Sequence, residues 1–162
     1  MALGGNTHLE MYITSSLPPD SELVAAYVRY AEALSKGVPD DTPEMDSDER
    51  AYEEVGRVIR DGSAAYAWEL VRAVLRRAPD ERLDAYAVGP LEELVRIRGT
   101  EVVDVIEAEA RADERFRWAL GCIWAEAEAL PHEVLVRIVN ASEGKIRPLG
   151  WVSPGESSQA AT

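Results

Sequence analysis

One cysteine, two histidines and one phenylalanine stand among 162 residues. A single thiol, Cys122, excludes an internal disulfide framework. His8 and His132 lie far apart, and with one cysteine they form no ligand set at zinc spacing, so neither a metal nor a cofactor is expected. No run of about 18 apolar residues occurs, which leaves no membrane-span candidate. A basic region followed by an apolar stretch is missing at the N-terminus, so no secretory leader is expected and the cytoplasm is the expected location. A G-x-S-x-G elbow, a Walker loop and a G-x-G-x-x-G loop are likewise missing, which removes the common signatures of nucleophilic and nucleotide-dependent chemistry. Positive charge is scarce: seventeen bases face thirty acids, for a net charge of −13. Direct binding to nucleic acid or to an anionic membrane needs a cationic face and is disfavoured. Lys36 and Lys145 are the lysines, all other bases being arginine, and with abundant alanine this composition points to a GC-rich bacterial genome.

What is present is helical patterning. Leu17-Pro18-Pro19-Asp20 reads as a helix opening, with Asp20 and Glu22 in the first turn and Gly37 as the stop. Leu23, Tyr27, Tyr30, Ala31 and Leu34 form one apolar stripe at helical spacing. Residues 38–47 read as an acidic, proline-punctuated linker. Nine acids against three arginines lie between positions 37 and 62. Asp40, Asp41, Glu44, Asp46 and Asp48 lack the glycine and terminal glutamate of a calcium loop, so a solvated linker is the expected reading. Asp46 and Glu49 resemble a capping box for a second helix, with Tyr52, Val55 and Ile59 inward. Ser63 caps a third helix whose Ala67, Val71, Val74, Leu75 and Ala78 face inward, with Trp68 and Leu70 widening the stripe.

After Pro79 the pattern predicts short helices separated by one- or two-residue breaks. Ala87-Val88-Gly89-Pro90-Leu91-Glu92 is the tightest of them: Gly89 is expected at positive φ, closing one helix, and Pro90 at the first position of the next. Gly99-Thr100 reads as the same stop-and-cap device. A sixth helix carries Val103, Ile106 and Ala110 inward. Asp113 caps a seventh with Phe116, Ala119, Leu120, Ile123 and Trp124 on its apolar side. Residues 131–140 are rich in β-branched side chains, but Pro131 and Glu133 favour a helix start. The expected fold is all-α: one compact multi-helix domain over residues 18–147, built from short antiparallel or stacked helices in the manner of helical hairpins, with no exact repeat. Residues 1–17 are expected to be irregular, with Met11-Tyr12-Ile13-Thr14 either a short strand or a loop. Residues 148–162, Trp151 apart, are expected to form a flexible tail.

Candidate functional residues are few. Glu92 and Glu93 suggest acid–base chemistry, but adjacent helical residues diverge by about 100° and a first-turn carboxylate is commonly a helix-end device. Glu92 and Arg96 sit at i and i+4, and Arg111 is expected to reach the same region, which predicts a polar network around the Gly89-Pro90 junction. Trp68, Phe116 and Trp124 are expected in the core. Trp118 falls off its stripe and is the candidate exposed contact aromatic. Cys122, beside Ile123, reads as a small buried hydrophobe.

Trp68-Glu69-Leu70-Val71, Ala87-Val88-Gly89-Pro90-Leu91-Glu92-Glu93-Leu94, Ile106-Glu107-Ala108-Glu109-Ala110-Arg111 and the Phe116-to-Trp124 stretch together resemble a small bacterial domain family of unknown function. Its motifs run W-E-L, A-x-G-P-L-E and F-x-x-x-L-x-x-x-W, over residues 64–124 here, and Val88 stands where alanine or glycine is the expected residue. The resemblance implies an all-helical fold and carries no activity. The charge and the missing catalytic signatures favour a non-enzymatic protein acting by protein–protein contact, for instance an inhibitor or immunity-type partner of a basic protein. The competing readings are a small enzyme with a cleft lined by Glu92, Glu93 or Asp104, and an acidic DNA mimic.

Overall fold

In the computed structural model, residues 21–37, 43–125 and 129–146 are described, with the side chains of 43–45 excepted. Every element among them is helical. They are α1 (Glu22–Ser35), α2 (Pro43–Asp61), α3 (Ala64–Arg77), a 3-10 turn (Asp80–Arg82), α4 (Leu83–Tyr86), a π turn (Ala87–Leu91), α5 (Glu92–Ala112), α6 (Glu114–Cys122) and α7 (His132–Ala141). No helix among the described residues is long and apolar enough to cross a membrane. The chain divides into two compact units, Met1–Arg82 and Leu83–Thr162. The expected elements at 1–17 and 148–162, His8 and Trp151 included, lie outside the described residues.

The first unit packs α1, α2 and α3 against one another. The Ser21 side chain caps α1 by accepting from Val24 N–H at 3.3 Å, so the described helix begins at Glu22. Its buried residues run from Val24 through Val28 to Tyr30, while Leu34 is 46% exposed. The expected stripe continued one helical face to the C-terminal turn, whereas contact with both α2 and α3 buries a wide arc of the N-terminal half. Helix α2 starts at Pro43, a residue suited to a helix start. Asp46 and Glu49 therefore lie inside the helix, and the expected capping box does not form. Asp48 points inward and accepts two bonds from Arg29, Nε at 3.0 Å and Nη2 at 2.8 Å; the guanidinium also holds the exposed Glu22 at 2.8 Å. These two carboxylates raise the Arg29 pKa further. Tyr52 is 41% exposed rather than inward, with its ring stacked on Tyr27 at 5.1 Å. Val55 and Ile59 are buried as the period predicts. Ser63 caps α3 through Tyr66 N–H, and Ala67, Trp68, Leu70, Val71, Val74, Leu75 and Ala78 are all in the core.

The second unit corrects the largest expectation drawn from the sequence. Gly89 and Pro90 do not separate two helices. They lie within a π turn that runs directly into α5. Among the described residues the glycines with positive φ are Gly37 and Gly144, and Gly89 is not one of them. Proline inside an α-helix lacks a donor and crowds the carbonyl four residues back. A π turn widens the backbone and relieves that conflict: Glu92 N–H donates to Ala87 O, five residues back.

Gly99-Thr100 is no stop either, because α5 continues to Ala112. Gly99 is buried, and a Cβ there would lie 2.6 Å from Leu130 Cδ2. The glycine thus serves close side-chain approach rather than chain reversal. Val103, Ile106 and Ala110 are buried as expected. Asp113 caps α6 through Arg115 and Phe116 N–H groups, and Phe116, Ala119 and Leu120 are buried. Residues 132–141 form a helix despite their β-branched content. Gly144 at φ 72° then closes it, its N–H reaching Val139 O at 2.9 Å. Helix α5 packs against the π turn, α6 and α7.

Candidate functional site

The most informative surface lies where the first turns of α5 meet the end of α6. Helix α6 stops at Cys122, and Ile123 takes an extended conformation with φ −72° and ψ 155°. In extended backbone successive side chains point to opposite sides. Ile123 and Ala125 are accordingly buried at 4% each, and Trp124 between them is 63% exposed. This corrects the expectation that Trp124 belongs to the core: the 3.6-residue period ends with the helix at Cys122, two residues before Trp124. Gly121 in the last turn was the available signal that the helix was ending.

The exposed tryptophan is held through its backbone. Trp124 N–H donates to Glu92 Oε2 at 2.8 Å, a contact spanning 32 residues. Glu92 stands at the start of α5, directly after the π turn, so the local backbone widening sets where its carboxylate emerges. Trp124, Val95, Ala125, Ala129 and Leu130, together with Glu92 and Arg96, line a small cavity of about 60 Å³. Val95 is 2% exposed and forms buried lining, whereas Arg96 is exposed.

Several expected associations rearrange here. Glu92 directs its carboxylate to Trp124, and Arg96 has no ion-pair partner among the described residues. The expected Glu92–Arg96–Arg111 network does not form. Because α5 is one continuous helix, Glu92 and Arg111 lie about 28 Å apart along its axis at about 1.5 Å per residue. Arg111 acts instead on Glu107, one turn away. Glu93 is half-buried and does not line the cavity. Trp118 is 45% exposed on α6, and it too stands outside the cavity lining. Trp68 and Phe116 are core residues at 2% and 4% exposure. Pro90 is buried inside the π turn, with Gly89 half-buried beside it.

A second polar cluster was not anticipated. Arg137 on α7 reaches back to α5, giving Nε to Glu107 Oε1 at 3.0 Å and Nη2 to both Glu107 Oε2 and Asp104 Oδ1 at 2.6 Å. The Arg137 hydrogen bonds hold the Glu107 carboxyl below its usual range, and the two carboxylates push Arg137 upward. This is a fork-type clasp between two helices, in which one guanidinium is shared by two carboxylates. No sequence signal links positions 104, 107 and 137, since the pairing depends on α7 lying against α5.

Chemically the cavity offers, in its described lining, apolar side chains with one carboxylate, Glu92, and one guanidinium, Arg96. Its volume is far below the several hundred Å³ typical of small-molecule pockets. Among the described residues no group of three or more His, Cys, Asp and Glu side chains is placed to hold a metal ion. Cys122 is half-buried with its thiol donating to Trp118 O at 3.4 Å, and burial pushes its pKa up, away from nucleophilic thiolate character.

Residues 40–146 match the model of a family described as a family of unknown function, DUF6869. No curated protein and no solved structure matches the chain.

Proposed function

This chain belongs to DUF6869, a family of unknown function, and we propose that it works as a non-enzymatic protein-binding module using the surface around Trp124. The observation that carries this reading is the 63% exposure of Trp124, fixed by the Glu92 hydrogen bond over a small apolar cavity. Exposing an indole to water is unfavourable unless a partner covers it, and tryptophan and arginine are the residue types most enriched among energetically dominant interface positions. Holding Trp124 by its backbone lowers the entropy lost when a partner docks. The small cavity supports contact over catalysis, because its volume of about 60 Å³ is far below that of a small-molecule pocket. The net charge of −13 favours a partner with a basic surface, which the acidic body would attract at long range. The bacterial cytoplasm is the setting this reading takes.

Affinity capture on immobilised wild-type protein, Trp124→Ala and Trp118→Ala, followed by rebinding of the purified partner, tests the reading. Trp124→Ala is expected to lose at least tenfold in affinity with its thermal unfolding unchanged, and Trp118→Ala to lose less. A partner that binds Trp124→Ala as tightly as wild type would show that the contact surface lies elsewhere.

A further inference from the structure

Resting on the contact reading above, we infer that the Trp124 cavity receives the C-terminal residue of the partner polypeptide, taking an aliphatic side chain into the cavity and its free α-carboxylate onto Arg96. The Glu92 carboxylate, expected to neutralise Arg96 one turn away, is instead turned to Trp124 N–H at 2.8 Å. Arg96 consequently stands exposed at the cavity edge with no ion-pair partner among the described residues. A guanidinium presents a fork that matches a carboxylate with two parallel hydrogen bonds.

The apolar lining of the cavity is Val95, Trp124, Ala125, Ala129 and Leu130, and its charged lining residues are Arg96 and Glu92, whose carboxylate is engaged by Trp124 N–H. Its 60 Å³ is to be compared with about 10–15 Å³ for each water-sized group. About four to six heavy atoms fit, the size of a leucine or isoleucine side chain. Val95 and Arg96 both line the cavity, so the apolar site and the cation adjoin closely. A terminal residue carries its side chain and its carboxylate on the same Cα and spans that short distance. An aliphatic residue followed by an internal Asp or Glu places its acid farther along the chain. Such a terminus is compatible with an otherwise basic partner, because Arg96 meets one local carboxylate while the acidic body meets the rest.

The probes are N-acetyl-leucine, N-acetyl-leucinamide, N-acetylglycine and acetyl-Leu-Asp-amide. They are titrated into ¹⁵N-labelled protein while the Trp124 indole resonance, identified by its loss in Trp124→Phe, is followed. N-acetyl-leucine is expected to shift that resonance with millimolar affinity, as suits so small a ligand. The amide, which lacks the carboxylate, and the glycine derivative, which lacks the side chain, are each expected to bind at least tenfold more weakly. Arg96→Gln should lose tenfold or more for N-acetyl-leucine, with an unchanged thermal unfolding curve, and Arg96→Lys should recover part of the loss. Equal binding of N-acetyl-leucine and its amide, or of wild type and Arg96→Gln, would overturn the inference. So would acetyl-Leu-Asp-amide binding more tightly than N-acetyl-leucine. If the protein partner is lost with Trp124→Ala and retained by Arg96→Gln, the contact reading stands and the terminal-carboxylate inference fails.

Discussion

Replacing Arg137 by methionine removes the clasp between α7 and α5 while keeping the unbranched apolar stem. The guanidinium makes three hydrogen bonds of 2.6–3.0 Å to Glu107 and Asp104. Its side chain remains 39% exposed, Asp104 65% and Glu107 24%, so water and salt screen much of the attraction. Exposed pairs contribute about 0.2–1 kcal/mol. Two carboxylates and bidentate geometry place this one at the upper end, about 1 kcal/mol. For a cooperatively unfolding chain of 162 residues that corresponds to a fall in Tm of about 3 °C.

The pH dependence has a definite sign. Glu107 is held below its usual range by Arg137, so the folded protein binds the Glu107 proton less tightly than the unfolded chain does. The clasp is fully present above the unfolded glutamate value, about pH 4.3. It is lost as pH falls through the lower folded value. Urea unfolding of wild type, Arg137→Met and Glu107→Gln at pH 7, 5 and 3.5 reads this directly. The gap between wild type and Arg137→Met should be equal at pH 7 and 5 and smaller at pH 3.5, and it should narrow in high salt. No gap at pH 7, or a gap unchanged at pH 3.5, would refute the reasoning.

Asp48→Ala removes the buried partner of Arg29 and should cost about 1.5–3 kcal/mol, the range for hydrogen bonds to charged groups, whereas Glu22→Ala, on the exposed side of the same arginine, should change urea stability by less than about 0.5 kcal/mol. Gly62→Ala puts a Cβ 2.6 Å from the Val58 carbonyl oxygen, a backbone atom that cannot swing aside, and should destabilise by about 1–3 kcal/mol in the same assay. Gly99→Ala meets only the tip of the Leu130 side chain, also at 2.6 Å, and gains about 1 kcal/mol of helix propensity. Its stability should therefore change little, while displacement of Leu130 from the cavity lining weakens Trp124-dependent binding, measured calorimetrically.

The helices as a class were legible in the sequence because local rules decide them. Ser63 and Asp113 cap the helices they were expected to cap, since a hydroxyl or carboxylate reaches backbone N–H groups two or three residues away. The inward faces of α3 and α6 follow from the 3.6-residue period alone. What the glycines do was not decided locally. Gly37 and Gly144 take positive φ at helix ends, whereas Gly99 sits inside α5 because Leu130 needs its space. Gly89 and Pro90 look like a break by composition, and a π turn lets the chain pass through them without one. The candidate site depends on tertiary structure even more strongly. Trp124 is exposed because α6 ends two residues before it, and Glu92 leaves Arg96 because a backbone N–H from 32 residues away competes for its carboxylate. Capping and periodicity act within a turn or two and can be read along the chain. The partners of Glu92, Gly99 and Arg137 lie about 30 residues off, and only packing brings them within reach.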